Sequence, residues 1–135
     1  MSKKIFVTVK QSIFLNYTFT GICWIIAGIC KFLHSFIFTL TALVFVSLAT
    51  ILSIFLFTMG QEEERDEMAK SHIMESCYRG FKVMCMTTML SLIFAIGNSF
   101  LPTPINFPQE ALLNIILGAG MTAAGLTFSD LEKDA

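Results

Sequence analysis

Residues 61–82, QEEERDEMAKSHIMESCYRGFK, decide the fold because they form the one strongly charged stretch of the chain. They contain ten of the nineteen charged residues, and the sequence on either side is almost free of charge. A hydrated segment between two long apolar halves is typical of the central loop of a membrane protein. The sequence therefore predicts one polar segment in the middle, with membrane-spanning helices before and after it.

The composition supports this class. Of the 135 residues, 55% are apolar and 14% are charged, against roughly 45–50% and about 25% in soluble domains. Such a small number of charges does not keep the surface of a soluble protein hydrated. We therefore predict that the chain is embedded in a lipid bilayer. The net charge of -1 shows no basic excess, and nucleic acid is therefore excluded as a partner.

The four cysteines Cys23, Cys30, Cys77 and Cys85 fit neither the ligand spacing of a zinc site nor a Cys-x-x-Cys motif. We interpret them as free thiols that pack as small apolar residues. The alternative is a metal or haem site on one helix face, formed by Cys23, Cys30 and His34. A turn is expected before His34, and no acidic residue completes the set. The sequence therefore predicts no metal and no cofactor.

The first half of the chain is too long for a single crossing. Residues 11–30 and 32–61 carry no charge, and one helix over the whole block would extend about 75 Å against about 30 Å of hydrocarbon. We therefore expect two spans, at about 11–30 and 36–58, joined by a tight turn at 31–35. Lys31 and His34 would lie at the far membrane surface, where a lysine side chain can reach the headgroups.

The second half is predicted to hold two more spans. Glu62, Glu63 and Glu64 are expected to open a helix of about residues 63–100, because negative charge suits a helix N-terminus. Its polar first part belongs to the segment 61–82, and its apolar second part is the third span, 83–101. Prolines between residues 101 and 109 end this helix. The fourth span, 111–128, follows a helix start at Pro108 and Glu110.

Lysine and arginine fix the predicted orientation. Eight of the nine basic residues fall on the side of the termini and of the central segment, and Lys31 alone falls on the other side. Basic residues accumulate in cytoplasmic loops. We therefore predict a multi-pass protein of the cell membrane with both termini in the cytoplasm. The fold is an all-α, four-helix transmembrane bundle of two helical hairpins, whose third helix extends into the cytoplasm.

Small residues mark the predicted helix contacts. Gly21 and Gly28 are seven residues apart on one helix face, and Gly120 and Ala124 form a small-xxx-small pair. Both patterns allow two helices to approach closely, within the chain or in a homo-oligomer. Three asparagines lie in or near the spans, and we expect them to bond between helices: Asn16, Asn98 and Asn114.

The central segment resembles a known group at the residues Glu64-Arg65-Asp66-Glu67. Together with the two spans on each side, it is similar to the small uncharacterised four-span membrane proteins of bacteria, which carry a Glu-Arg-Asp-Glu type cytoplasmic loop ahead of the third helix. That family has no established activity to transfer. The resemblance therefore implies a topology and no mechanism.

The sequence contains no nucleotide-binding, hydrolase or metalloprotease motif, and we predict no enzyme activity. No span has a central ionisable residue of the kind that transporters use; Glu110 comes nearest, and we interpret it as a helix-start residue. The leading hypothesis is a non-catalytic protein-binding or accessory subunit, either an immunity-type protein or the partner of a cytoplasmic regulator. The alternative is a small oligomeric transporter or channel. A cytoplasmic partner would bind at the charged residues Glu62, Glu63, Glu64, Arg65, Asp66 and Glu67, which otherwise serve only to fix the topology.

Overall fold

A computed structural model describes residues 4–62 and 64–134, and of Glu62 it describes the backbone alone. Four helices dominate the structure, and each is long and apolar enough to cross a membrane. They are α1 (Val9–Phe32), α2 (Phe36–Met59), α3 (Glu67–Ser99) and α4 (Gln109–Lys133). The predicted all-α bundle of four membrane-spanning helices is confirmed. The chain therefore has the architecture of a multi-pass membrane protein.

The first and last helices form the centre of the bundle. Helix α1 packs against α4, α2 packs on α1, and α3 packs on α4. In the most apolar windows of α1 and α4, 44% and 33% of the residues are buried, against 11% and 6% in α2 and α3. Val9 and Ile13 at the start of α1 pack with Phe128 near the end of α4. The two central helices are therefore antiparallel, and both ends of the chain lie at the same end of the bundle.

Helix α1 begins with a capping box and then widens. Thr8 Oγ1 accepts a hydrogen bond from the Gln11 backbone N–H (3.2 Å), and Gln11 Oε1 accepts one from the Thr8 N–H (3.3 Å), which satisfies two backbone donors that a helix start leaves unpaired. Residues Phe14–Phe19 form a π-helical segment. Because a π turn holds one more residue than an α turn, it changes which side chains face a neighbouring helix.

The first hairpin turns at His34 without glycine or proline. His34 has φ of 42°, a left-handed conformation that residues other than glycine rarely adopt. Helix α2 then runs from Phe36, and its threonines satisfy their hydroxyls locally. Thr41 and Thr50, for example, donate to the carbonyl four residues earlier, at 2.8 Å each. No water is available to these groups in hydrocarbon, so the local bonds allow α2 to face lipid.

Two short strands join the N-terminus to the central segment. Strand β1 (Ile5–Val7) pairs in parallel with β2 (Gly60–Glu62), and the sequence analysis predicted no strand. This pairing keeps the chain extended beyond α2. The prediction that Glu62, Glu63 and Glu64 open the third helix is wrong at Glu62, which belongs to β2, and at Glu64, which precedes the helix. Glu63 lies outside the described residues.

Helix α3 begins instead at Glu67, with Asp66 as its cap. Asp66 Oδ1 accepts a hydrogen bond from the Ala69 backbone N–H at 2.7 Å, because a short carboxylate side chain reaches the N–H three residues on. The helix has 33 residues and is about 50 Å long at 1.5 Å per residue. It therefore combines a polar first part with a full apolar span, as the sequence predicts.

The side chain of Asn98 holds the second hairpin loop in place with two hydrogen bonds. Asn98 Nδ2 donates to the Ile105 carbonyl at 2.9 Å, and Asn98 Oδ1 accepts from the Ile105 N–H at 2.8 Å. The rings of Phe94 and Phe107 pack beside it with centroids 5.2 Å apart. The expectation that Asn98 bonds between helices is therefore wrong, because the loop turns back and offers both backbone groups.

Candidate functional site

The glycines of α1 form its contact with α4. A Cβ atom on Gly21 would lie 2.7 Å from the Thr122 backbone nitrogen and 2.8 Å from the Gly118 carbonyl oxygen. On Gly28 it would lie 2.8 Å from the Ala111 carbonyl oxygen. Real Cβ atoms do not approach backbone this closely, so these two positions hold the helix backbones in direct contact.

A second contact of small residues joins α4 to α3. A Cβ on Gly80 would lie 2.7 Å from the Gly120 carbonyl oxygen and 2.8 Å from the Ala124 Cβ. Ser76, one turn before Gly80, is also buried. Gly21, Gly28, Gly120 and Ala124 thus all lie at contacts within one chain. These residues therefore pack the helices of a single chain together, and a contact with a second copy stays a prediction.

Apolar residues recur every three or four positions in the first part of α3, at Ile73, Cys77, Phe81 and Met84, but they do not form one buried face. Ile73 and Met84 are half-buried, but Cys77 is exposed and Phe81 is 63% exposed. Helix α3 approaches α4 most closely on the side that carries Ser76 and Gly80. Only small side chains fit between the two helix backbones there. A search for small residues at seven-residue or four-residue spacing would have found Gly80, which the sequence analysis left unassigned.

Pairs of polar side chains link neighbouring helices at both ends of the bundle. At the end away from the termini, Lys31 Nζ in the last turn of α1 forms an ion pair with Glu110 Oε2 in the first turn of α4. At the opposite end, His72 Nδ1 lies 2.7 Å from Glu132 Oε1 and links α3 to the tail of α4. The sequence analysis placed Lys31 at that membrane surface and Glu110 at the start of the fourth span but did not pair them, since 79 residues separate them.

Two threonines at the α1–α4 contact have unsatisfied hydroxyls. The Oγ1 atoms of Thr18 and Thr122 are buried and have no hydrogen-bond partner within the described chain. A buried polar atom without a partner destabilises the fold. Thr18 lies in the π-helical segment and packs at Gly125, so the close approach of the helices confines both hydroxyls.

A cavity of about 510 Å³ opens between α1 and α2 at the end where the termini lie. Its polar lining comes from Ser12, Asn16, Tyr17, Ser53 and Arg65. The π-helical segment carries Asn16 and Tyr17 into this lining. Asn16 Nδ2 donates to Ser12 Oγ at 3.4 Å within α1, so the predicted bond between helices is wrong for this asparagine. The cavity adjoins the membrane-spanning part of the bundle and was not predicted.

The structure describes the side chains of four of the six charged residues proposed as a partner site. Glu63 and the Glu62 side chain lie outside the described residues. Glu64 is exposed, Arg65 lines the cavity, Asp66 caps α3, and Glu67 lies in its first turn. All four of these residues are exposed, and the site for a partner at this segment stays a prediction.

The outward face of α3 instead presents large apolar side chains outside the predicted span. Met74, Tyr78 and Phe81, which we call the outward stripe, are 74%, 62% and 63% exposed. Their spacing of four and three residues places them on one side of the helix, opposite Ser76 and Gly80. Lys82 Nζ lies 5.2 Å from the centre of the Tyr78 ring, and Arg79 pairs with Glu75 at 2.8 Å beside the stripe.

The cysteines of the described chain are all free, Cys23 being buried and Cys77 exposed. Within residues 4–62 and 64–134, no three histidine, cysteine, aspartate or glutamate side chains come together as a metal-binding group. Comparison with family models, with curated proteins and with solved structures finds no match for this chain.

Proposed function

We propose that this chain is a non-catalytic protein of the cell membrane that binds a partner protein at the cytoplasmic surface. The observation that carries the proposal is the outward stripe. Exposed methionine, tyrosine and phenylalanine side chains are enriched where proteins bind one another. They lie on the part of α3 that precedes its predicted span, where lipid chains do not cover them.

The distribution of charge supports the cytoplasmic orientation. Both ends of the described chain and the polar part of α3 lie at one end of the bundle, and that end carries all basic residues that the structure describes except Lys31. Basic residues favour the cytoplasmic side of a membrane. The stripe therefore faces the cytoplasm in the proposed topology.

The flanking charges define the kind of partner. Exposed Glu64 and Glu67 precede the stripe, while Arg79 is already paired with Glu75. Basic side chains border the stripe as well, since Lys82 Nζ lies 5.2 Å from the centre of the Tyr78 ring. The partner is thus expected to present apolar residues at helical spacing, with charged residues of both signs beside them.

Site-specific photo-crosslinking tests the proposal. A photoreactive phenylalanine at Tyr78 is expected to give one partner adduct in intact cells, and Met74→Ser with Phe81→Ser is expected to abolish it. Met68→Ser is the matched control, because Met68 is also exposed (57%) on α3 but lies to one side of the stripe. The proposal is contradicted if Met68→Ser lowers the adduct as much, or if Tyr78 crosslinks only to lipid.

A small oligomeric transporter or channel is the second candidate function, and the polar cavity favours it. Amide, phenol and hydroxyl groups beside membrane-spanning helices are the usual lining of a path for polar solutes. Flux through reconstituted vesicles tests it: Asn16→Leu with Ser53→Leu is expected to reduce flux severalfold, while Met74→Ser leaves it unchanged. Flux equal to that of empty vesicles would exclude this function.

A further inference from the structure

A second hollow lies at the end of the bundle that holds the termini, beside the polar cavity. It is a groove of about 700 Å³ between α1 and α2, within the range of about 300–1,000 Å³ typical of ligand sites. Its walls include Phe14 and Leu15 of α1 and Leu52 and Phe55 of α2. Phe14 and Phe55 remain 50% and 43% exposed, so the groove is open to the surrounding lipid.

The polar groups of this groove are Lys10, Gln11 and Ser129, near the start of α1 and the end of α4. Phe14 and Leu15 lie about one turn further along α1, and the apolar residues Ile5, Phe6 and Val7 of β1 line the groove on the other side of Lys10. Lys10 is exposed and has no ion-pair partner among the side chains that the structure describes. The Gln11 amide nitrogen and the Ser129 hydroxyl oxygen add further hydrogen-bonding capacity beside the ammonium group.

We infer that this groove binds one anionic phospholipid of the membrane. The Lys10 ammonium is complementary to the lipid phosphate, and the apolar walls are complementary to the acyl chain below it. The walls extend over about five residues of helix, or about 8 Å, which matches the glycerol region and the first part of one chain.

The charge on Lys10 decides headgroup selectivity. A lysine at the membrane surface attracts an anionic lipid by a free energy that corresponds to about fivefold in affinity. A zwitterionic lipid carries its own cation beside the phosphate and gains less from Lys10. Phosphatidylglycerol is therefore expected to bind more tightly than phosphatidylcholine with the same chains.

Native mass spectrometry of the delipidated full chain in mild detergent tests the inference. The wild-type protein is expected to retain one phosphatidylglycerol in preference to phosphatidylcholine. Lys10→Ala should weaken phosphatidylglycerol binding about five- to tenfold and leave phosphatidylcholine unchanged. Leu52→Trp should weaken both lipids, because the indole fills the groove. Since Lys10 is exposed, Lys10→Ala keeps the test decisive even if Leu52→Trp fails to fold.

Two controls separate this site from general lipid contact. Lys70→Ala removes an exposed lysine on α3 that does not line the groove, and Leu48→Trp adds an indole to an exposed part of α2 outside it. Both variants should bind as the wild type does. Equal binding of the two lipids, or equal loss in Lys70→Ala, would overturn the inference. Competition by glycerol 3-phosphate as effective as that by the whole lipid would show a phosphate site without a lipid.

Discussion

Helices α2 and α4 are both membrane-spanning helices of the bundle, but the residues that they bury and expose differ. Helix α2 is the most apolar of the four, and Ala42 and Ala49 are its only fully buried residues in the described chain. Helix α4 is less apolar, yet it buries Gly118, Gly120, Gly125 and two of its four alanines, Ala111 and Ala124, against two other helices. In a bilayer, apolar bulk marks the surface that lipid covers, and small residues mark the surface that protein covers.

The largest effect is expected where a methyl group is added between α1 and α4. Gly21→Ala should destabilise the bundle by about 1–3 kcal/mol or more, because the new Cβ meets the backbone of α4. Gly97→Ala is the control: a Cβ there meets nothing within 4 Å, and alanine favours helix by about 0.5–1 kcal/mol. Unfolding in mixed micelles followed by circular dichroism measures both. Equal effects would show that α1 and α4 are not in contact.

A smaller effect is expected on α2, where two adjacent residues face different surroundings. Ala49 is fully buried and Leu48 is 47% exposed. Ala49→Leu should cost about 1–3 kcal/mol through overpacking, whereas Leu48→Ala should change stability by at most about 0.5 kcal/mol. The same unfolding assay measures the stability of both variants. If Leu48→Ala is the more harmful change, then α2 is covered by protein on its outer side.

The next effect concerns the link between the polar part of α3 and the tail of α4. A double-mutant cycle with His72→Ala and Glu132→Ala should give a coupling free energy of about 0.5–1.5 kcal/mol, the usual contribution of one hydrogen bond. Arg79→Ala with Glu132→Ala is the control cycle, because Arg79 pairs with Glu75 instead, and it should give no coupling. Zero coupling for the His72 cycle would mean that the two helices are not fixed to each other there.

The smallest effect should be a gain. Thr122→Val replaces an unsatisfied buried hydroxyl by a methyl group of similar size, and the bundle should become more stable by up to about 1 kcal/mol. Thr41→Val is the control, since its hydroxyl already donates to the Ile37 carbonyl, and no gain is expected there. A loss of stability in Thr122→Val would indicate that its hydroxyl has a partner in the membrane.

Hydropathy alone was enough to predict the four spans and the two hairpins, because the bilayer imposes length and polarity on each helix. The structure shifts the ends only slightly: α1 spans Val9–Phe32 where 11–30 was expected, and α3 begins at Glu67 where 63 was expected. The shift at α3 has a local cause, the capping by Asp66 after the chain has been held extended at Gly60.

The candidate site was less predictable because it depends on which helices become neighbours. The patterns at Gly21 and Gly120 indicated close contacts but not their partners, and nothing in the sequence paired Lys31 with Glu110. The π-helical segment that brings Asn16 and Tyr17 to the cavity has no signal in the spacing of apolar residues.

The contact between the first and last helices has a consequence for biosynthesis. Gly21 and Thr122 are about 100 residues apart, so at about 5–20 residues per second α1 waits roughly 5–20 s for its partner after leaving the ribosome. During that time its glycine face is exposed to lipid or to the insertion machinery. A nascent chain that stops before α4 keeps that face uncovered. The uncovered face is a feature by which a membrane quality-control protease can distinguish the incomplete chain from the finished protein.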